Sequence, residues 1–301
     1  MRMRHLIMVA ALTLSACTSY RVSNEALYAG DYDAVILAST QALNSGGLIG
    51  AVRARTYRNR GDAYLAKQQI QAAIADYSAA LEINEDDEDV RNRRGVALVA
   101  IGQFEAAIAD FNSAINETTG RTDFYVNRAI ANRRAGHYDN AIFDSTRAIE
   151  RHTDDIRAYE VRAASYRARG EFQRAAADYL TAIELSPSNA GFYLDRCSVL
   201  IQAGLPQVAV GDCNSALALR PDSATAFDWR GLALFKMGQY QLAIRDYDYA
   251  LMFDPRLASS LYSRGVAKSK MGDGAGGNAD MQAAVMIDST IAQNLLALGV
   301  N

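Results

Sequence analysis

The sequence has little of the side-chain chemistry on which metal sites and nucleophilic active sites depend. It contains three histidines and three cysteines in 301 residues. Beyond the N-terminal segment only His137 and His152 remain, one at a predicted turn and one near a predicted helix end, and neither suits a metal cluster or a catalytic triad. The acidic run at 85–89 lacks the glycine and the spacing of a calcium loop. We therefore predict no catalytic residue, no metal and no cofactor.

Long apolar runs and a strong excess of one charge are also absent. After the N-terminus, no apolar stretch reaches the ~20 residues that a membrane-spanning helix needs. The formal net charge is −3, with 22% charged residues. This balance argues against a nucleic-acid partner, which would select for a basic surface.

What the sequence does contain is a repeated pattern with a period of 34 residues. A fixed period of this length indicates an array of stacked supersecondary units rather than one globular core. An Arg row, an Asp row and the Ala row starting at Ala80 are complete over seven repeats, and the Ala row starting at Ala73 is broken only by Gly277. The Arg row is Arg60, Arg94, Arg128, Arg162, Arg196, Arg230 and Arg264, and the Asp row is Asp76, Asp110, Asp144, Asp178, Asp212, Asp246 and Asp280.

Each repeat reads as two helices joined by a tight turn. Both halves of 88–121 carry apolar residues at spacings of three and four, which is typical of helices. Gly102 lies between the halves, where glycine can adopt the left-handed conformation that ends a helix. Pro187, Pro221 and Pro255 follow second halves, where proline cannot continue a helix. One such hairpin cannot bury its apolar face alone, so neighbouring repeats must stack.

These features resemble the tetratricopeptide repeat. Besides the Ala rows and the prolines, the resemblance rests on recurrent aromatics and on small residues four positions later, namely Tyr57, Tyr125, Tyr159, Tyr193 and Phe227, with Gly61, Gly95, Ala129, Ala163, Gly231 and Gly265. It implies an all-α fold, a right-handed superhelical solenoid of antiparallel helix pairs with a concave groove. The seven repeats would be 54–87, 88–121, 122–155, 156–189, 190–223, 224–257 and 258–291.

Both ends of the array are expected to differ from the repeats, because terminal repeats must cover an exposed face. Residues 17–53 would form an extended tether, over 17–24, and a degenerate helical pair. Residues 292–301 would form a C-terminal cap, in a short helix capped by Asp288 or Ser289. The glycine-rich stretch 272–277 lacks the Lys-Ser/Thr pair of a phosphate loop and is interpreted as a loose turn before a frayed helix.

The Arg and Asp rows are interpreted as architectural, because residues repeated in seven equivalent places do not form one active site. Counted from the turn, the Arg and Asp of one hairpin lie at nearly the same height. We therefore predict a ladder of partly buried Arg–carboxylate hydrogen bonds, either within repeats or between them.

The N-terminus has the pattern of an export signal. Arg2 and Arg4 precede an apolar run over 6–14, and small residues then lead to Cys17. The sequence LSAC ending at Cys17 resembles the bacterial lipobox, which implies removal of 1–16 and acylation of Cys17. The alternative is an ordinary signal peptide with an incidental cysteine.

Acyl chains would anchor the protein to a membrane without a spanning helix. Thr18 stands where Asp would suggest retention in the inner membrane. By analogy with Gram-negative lipoproteins we expect attachment to the outer membrane, facing the periplasm. A Gram-positive source would change the membrane.

Cys197 and Cys213 replace a small residue and an aromatic residue of the repeat. They lie on opposite helices at equal distances from the turn at Gly204. In an oxidising compartment this placement favours a disulfide within the repeat. The alternative is a pair of buried thiols. A redox-catalytic pair is disfavoured, because the spacing is not CxxC and no histidine is near.

In tetratricopeptide proteins the first helix of each pair lines the groove, and this relation carries over to a set of residues here. The candidate groove residues are Val96, Ile130, Arg133, Arg134, Arg167, Leu232, Phe235, Lys236, Tyr262 and Val266. Their apolar floor and basic rim would suit an amphipathic helix or an extended segment with acidic flanks. The alternative is that some of them pack against neighbouring first helices.

We expect a non-enzymatic scaffold for protein partners, anchored in the bacterial envelope. Cell-wall enzyme complexes and pilus or secretion assembly are the pathways in which such lipoproteins serve. The alternative is a structural envelope component that associates with itself as a homo-oligomer.

Overall fold

The computed structural model describes residue 16 and residues 18–115 and 121–301. Cys17, and the signal sequence apart from Ala16, lie outside these residues. Every regular element in the described part is an α-helix. None of these helices combines the length and apolar character that a membrane crossing requires.

The chain divides into two compact units. The first unit is Met1–Thr153 and the second is Asp154–Asn301. The first contains α1 (described over 18–29), α2 (Tyr32–Asn44), α3 (Gly50–Ala66), α4 (Ile70–Ile83), α5 (Glu88–Ala100), α6 (Phe104–Ala114), α7 (Thr122–Arg134) and α8 (Tyr138–Arg151). The second contains α9 (Ile156–Ala168), α10 (Phe172–Leu185), α11 (Ala190–Gln202), α12 (Pro206–Leu219), α13 (Ala224–Lys236), α14 (Tyr240–Phe253), α15 (Ala258–Lys270), α16 (Gly274–Ile287) and α17 (Ile291–Ala297).

Within each unit the helices form stacked pairs. The two helices of a hairpin pack on each other, as α5 packs on α6, and the second helix packs on the first helix of the next hairpin, as α4 packs on α5. First helices of successive hairpins also touch, as α5 touches α7 and α11 touches α13. The expected all-α solenoid of helix pairs is therefore confirmed in each unit.

The tight turns follow from one residue with a positive φ angle. Gly102 has φ 78°, and the N–H of Gln103 donates to the carbonyl of Leu98 at 3.0 Å. This six-residue closure satisfies a carbonyl at the end of α5 and reverses the chain. In the first repeat the same position holds Gln68, with φ 58°, and it makes the same turn without glycine.

In four repeats the centre of the hairpin is a small residue paired with an aromatic residue sixteen positions later. A Cβ built on Gly61 would lie 2.8 Å from the ring of Tyr77, and one built on Gly95 would lie 2.6 Å from the ring of Phe111. Both rings are fully buried. The ring occupies the space that the missing side chain leaves, which lets the two helices approach closely.

The glycine-rich stretch of the last repeat is more ordered than expected. α16 begins at Gly274, and the carboxylate of Asp273 accepts from the N–H of Gly276 at 2.8 Å. A Cβ on Gly277 would lie 2.6 Å from the carbonyl oxygen of Gly265. The glycines therefore allow the closest approach of α15 and α16, and the prediction of a frayed helix is wrong.

The ends of the array also depart from expectation. Residues 18–24, expected to be extended, belong to α1, where Asn24 accepts a hydrogen bond from the amide of Asn59 at 2.6 Å. At the other end neither Asp288 nor Ser289 caps α17, because its N-cap position is Thr290. The Asp288 carboxylate instead accepts from the N–H of Thr290 at 2.8 Å, in the turn before the helix.

Candidate functional site

The structure brings all seven Arg–Asp pairs of the ladder together within their own repeats. In six repeats the Arg Nε and Nη2 groups donate to the two carboxylate oxygens of the Asp sixteen residues later, at 2.6–2.8 Å. This fork-to-fork arrangement fixes the rotation of both side chains. In Arg60, Arg94, Arg162 and Arg264 the hydrogen bond that the guanidinium donates to the Asp raises its pKa above an already high value, although burial opposes this rise.

The same guanidinium groups also link successive repeats. The remaining Nη1 group of Arg94 donates to the hydroxyl of Ser78 at 3.1 Å, on the second helix of the preceding repeat. Equivalent bonds join Arg60 to Thr40, Arg128 to Asn112, Arg230 to Asn214 and Arg264 to Asp248, at 2.7–2.9 Å. The ladder therefore holds three helices at each of these rungs, two from one repeat and one from its neighbour.

The Arg–Asp pair of repeat five, called here the weak rung, is less well bonded than the other six pairs. The Nε of Arg196 lies 3.3 Å from Oδ2 of Asp212, but that oxygen accepts no well-aligned hydrogen bond. The position sixteen residues before Arg196 holds Leu180, which cannot accept a bond from the guanidinium. Burial accordingly raises the pKa of Asp212, and Arg196 opposes this only in part.

The disulfide lies in the same repeat as the weak rung. The structure joins Cys197 of α11 to Cys213 of α12, with the Cα atoms 5.7 Å apart, and both residues are fully buried. The pair occupies the positions that Gly95 and Phe111 hold in repeat two. One covalent link thus stands where other repeats place a small residue against an aromatic ring.

The groove face, defined as the candidate groove residues of the first helices, is open in the first unit. Val96 of α5 is 37% exposed, and Ile130 on the adjacent α7 is partly buried. Arg134 is exposed beside them, whereas Arg133 is partly buried and its Nε has no hydrogen-bond partner. The first unit therefore presents apolar side chains next to cationic ones on a surface that could accept a further element.

In the second unit the end of the chain covers part of the groove face. Leu232 is only 4% exposed, and Phe235 and Val266 are also buried. They belong to one apolar cluster with Ile291 and Leu295 of α17 and with Val300. These three residues, expected to be open to a partner, are therefore buried instead, in a cluster that includes neighbouring first helices and side chains of residues 291–301, called here the C-terminal segment.

A glycine turn folds the end of the C-terminal segment back onto the cluster. Gly299 has φ 77°, and the N–H of Val300 donates to the carbonyl of Leu295 at 3.0 Å. This closure of α17 places Val300 inside the apolar cluster, where it is 1% exposed. Within the last hairpin the segment packs more on the first helix, α15, than on the second, α16.

The C-terminal segment does not fill the groove. A cavity of about 730 Å³ remains between Gln293, Asn294, Ala297 and Leu298 on one side and Arg167, Ala168, Ser198, Gln202 and Trp229 on the other. Its lining includes guanidinium, hydroxyl and amide groups. A second space of about 410 Å³ lies at the end of the segment, between Gly299 and Asn301 and the side chains of Phe235, Lys236, Tyr240 and Lys270.

The basic rim is only partly neutralised. Arg167 lies 3.6 Å from the carboxylate of Asp195, where the Arg167 side chain is exposed and Asp195 is partly buried. Burial raises the pKa of Asp195, and the charge of Arg167 opposes this rise. Lys236 and Lys270 are exposed and form no ion pair within the described residues. Tyr262 is partly buried and packs against the apolar cluster rather than standing free as an anchor.

Two further cavities, each of about 280 Å³, lie along the ladder. One is lined by Arg128, Asp144 and Asn132, and the other by Arg230, Asp246 and Leu234. The two sets are 102 residues apart, which is three periods of 34. They are therefore a consequence of the repeat geometry rather than separate sites.

The helices stack in pairs, and the first helices of successive pairs form one face. This arrangement defines the class of helical repeat proteins, and sequence comparison identifies the family. The TPR repeat matches 61–102 and 231–272, and the tetratricopeptide repeat matches 126–190 and 160–224. These matches together cover more than half of the chain, which therefore belongs to the tetratricopeptide repeat family. No curated protein matches the chain.

Solved structures share this fold at low sequence identity. A tetratricopeptide repeat protein from Parabacteroides merdae has a TM-score of 0.63 and 16% identity, covering 90% of this chain and 99% of its own. The C-terminal part of a TPR repeat-containing protein from Cytophaga hutchinsonii has a TM-score of 0.63 and 16% identity, covering 79% and 98%. YrrB, described as a TPR protein with an unusual peptide-binding site, has a TM-score of 0.51 and 20% identity, covering 63% and 96%.

Proposed function

We propose that this protein is a non-enzymatic scaffold that binds segments of partner proteins on the groove faces of its repeats. The observation that carries the proposal is the open groove face of the first unit. There Val96 and Ile130 lie on neighbouring helices beside the exposed cation of Arg134. Apolar anchors flanked by positive charge suit an amphipathic segment with acidic flanks. The peptide-binding site of YrrB, on a related fold, supports the same reading.

We further propose that the scaffold acts in a bacterial envelope, held by a lipid on Cys17. The support is the LSAC sequence ending at Cys17 and the buried Cys197–Cys213 disulfide, which suits an oxidising compartment. Labelling cells with a palmitate analogue tests the anchor. The wild-type protein should be labelled and recovered with the outer membrane, whereas Cys17→Ala should be neither. Equal labelling of both proteins would refute the anchor without bearing on the groove.

Crosslinking and affinity capture from detergent-solubilised envelopes test the scaffold itself. The bait is the full chain, and the groove variant is Val96→Glu with Ile130→Glu. Because Val96 is exposed and Ile130 is partly buried, this variant should fold, which circular dichroism verifies. Leu185→Glu, an exposed change at the end of the second helix α10, is the control.

A partner captured by the wild type and the control, and lost with the groove variant, would establish a groove-binding scaffold. Crosslinks only between copies of the chain, equal in all three proteins, would contradict it and favour the self-associating structural component.

A further inference from the structure

The groove face of the second unit already contains an occupant, the C-terminal segment. One face of its helix is buried and another is exposed, since Ile291 and Leu295, four residues apart, are buried while Leu296 is 59% exposed. After the helix, the turn at Gly299 adds Val300 as a third buried contact. This is how a short amphipathic helix occupies a groove, with anchors at i and i+4.

The C-terminal segment is held by packing and not by its own helical stability. α17 has seven residues, and isolated helices of that length do not persist in water. Only three of its side chains are buried in the cluster, and the cavity of about 730 Å³ shows that its polar residues leave the groove incompletely filled. A longer helix with matched polar side chains could bury more of the same surface.

The charges at the end of the C-terminal segment are also incompletely matched. The stretch 291–301 contains no charged side chain. Its end nevertheless lies beside two exposed cations, since Lys236 and Lys270 line the same space as Gly299 and Asn301. A Cβ on Gly299 would come within 3.1 Å of the Nζ of Lys236. An acidic side chain at this end of an occupant would therefore add negative charge beside Lys236 and Lys270 that no side chain of the resident segment supplies.

We propose that the C-terminal segment is a resident, exchangeable occupant of the second groove, and that the partner which displaces it is an amphipathic helix with apolar residues four apart and an acidic residue after its C-terminal turn. This inference rests on the proposed scaffold function and extends it to a second surface. The segment lowers the apparent affinity for such a partner by the fraction of molecules in which the groove is covered.

The test uses the full chain and a variant whose segment is released, Ile291→Asp with Leu295→Asp. These changes lie outside the helix pairs, so the array itself is not altered. The probe is a labelled peptide of residues 288–301, followed by fluorescence anisotropy, and its control carries the same two Asp substitutions. Trp229, the single tryptophan of the chain, lines the groove cavity and reports occupancy through its own emission.

The released variant should bind the peptide at least about tenfold more tightly than the wild type, and peptide binding should return its Trp229 emission to the wild-type value. A peptide with Asn301→Glu should bind more tightly still. That gain should disappear in Lys236→Gln with Lys270→Gln, and at ~1 M salt, where screening is strong.

Equal peptide affinity in the wild type and the released variant would overturn the proposal, and so would unchanged Trp229 emission on release. Gly299→Ala is a milder second variant, because it disfavours only the left-handed turn that buries Val300, and it should bind the peptide with an intermediate affinity. A wild-type dimer that exchanges its segments, detected by light scattering, would overturn the partner assignment in favour of a second copy of this chain.

The peptide-binding experiment and the partner-capture experiment test different claims, so one can fail while the other succeeds. If the peptide binds as expected but no envelope protein is captured, the result supports an exchangeable C-terminal segment and refutes the proposed scaffold function. If a partner is captured through Val96 and Ile130 while the peptide shows no preference for the released variant, the scaffold stands and this inference falls.

Discussion

At the scale of single residues, the hairpins are built on complementary volumes. Gly61, Gly95 and Gly231 each lie against an aromatic ring sixteen residues on, at distances that exclude a Cβ atom. Alanine takes the same position in two repeats, where Ala163 is paired with Tyr179 and Ala129 with Ser145. Glycine is therefore present for close approach, although it is a poor helix former.

Gly95→Ala tests this packing, since two effects of opposite sign compete. Alanine would add up to ~1 kcal/mol of helix propensity, but its Cβ would lie 2.6 Å from the Phe111 ring, and overpacking of a tight core costs about 1–3 kcal/mol. We expect net destabilisation in urea unfolding. Gly211→Ala is the control, because Gly211 lies in α12 with no atom within 4 Å of its Cβ position, and that change should stabilise. Stabilisation by both would show that α5 and α6 adjust freely.

The buried hydroxyl of Tyr77 makes the stability of the folded protein depend on pH. It donates to the carboxylate of Asp62 at 2.8 Å, and burial, followed by the charge of Asp62, raises the pKa of Tyr77 well above its ordinary range. The folded state therefore keeps this proton when the unfolded state loses it. The resulting stability is complete below the unfolded pKa of about 10 and is lost as the pH rises further.

Tyr77→Phe should weaken this alkaline loss of stability. The ring is retained, as Phe111 shows in the next repeat, so we expect a loss of only about 1 kcal/mol at pH 7 for the missing hydrogen bond. Above pH ~10 the variant should lose stability less steeply than the wild type, measured by unfolding at successive pH values. Tyr28→Phe changes a 93% exposed tyrosine and should leave the slope unaltered. Equal slopes for Tyr77→Phe and the wild type would contradict the assignment.

At the scale of helices, the ladder holds hairpins to each other as well as the two helices within each hairpin. Arg128 binds Asp144 on its own second helix and Asn112 on the preceding one. In the last repeat Lys268 also binds Asp280 at 2.8 Å. Burial alone would raise the pKa of Asp280, but hydrogen bonds from Arg264 and Lys268 lower it. The carboxylate thus supports the fold most when it is ionised.

Asp178→Ala measures how much one Arg–Asp pair of the ladder contributes to the stability of the fold. It would leave the guanidinium of Arg162 without its two-point partner in a largely buried setting, for which we expect destabilisation of about 3 kcal/mol. Replacing both residues, with Arg162→Met and Asp178→Leu, should cost clearly less, because no stranded charge remains. Thermal unfolding of the two variants separates these cases. An unchanged melting temperature for Asp178→Ala would refute a stabilising ladder.

At the scale of the whole molecule, stability in a repeat array is a sum of local terms between neighbours. Repeat five has lost one of these terms, because Arg196 and Asp212 are poorly aligned, and it carries the disulfide instead. A loop of sequence separation 16 gives about 3 kcal/mol in the chain-entropy model. We infer that the covalent link compensates for the weak rung.

Reduction of the Cys197–Cys213 disulfide should therefore destabilise only the repeat that contains it and the adjacent helices. Hydrogen exchange with and without dithiothreitol should show lost protection in α11 and α12, and less in their neighbours α10 and α13, with α3 to α6 unchanged. A variant with Cys197→Ala and Cys213→Tyr copies the Ala163–Tyr179 pair of the preceding repeat and should be insensitive to the reductant. Uniform loss of protection along the chain would show that the array unfolds as one cooperative unit.

Much of this architecture is determined by the sequence alone, because it depends on local and periodic relations. The 34-residue period places Arg60 and Asp76, and Cys197 and Cys213, at matching heights on two helices of one hairpin, so their pairing needs only the hairpin geometry. The turn at Gly102 follows in the same way from one residue type. Interactions of this kind close over fewer than twenty residues and recur, so the pattern itself reveals them.

The tertiary structure alone decided where non-repeating parts of the chain lie. The apolar spacing of Ile291 and Leu295 is equally suited to an end cap and to a groove occupant, and only their place in one apolar cluster with Leu232 and Val266 selects the groove. The close approach of Gly277 to Gly265 likewise depends on helix separation, which residue spacing does not encode. A segment that occurs once has no period to reveal its partner, so its place is set by the free energy of burying its apolar side chains against a surface formed by several other repeats.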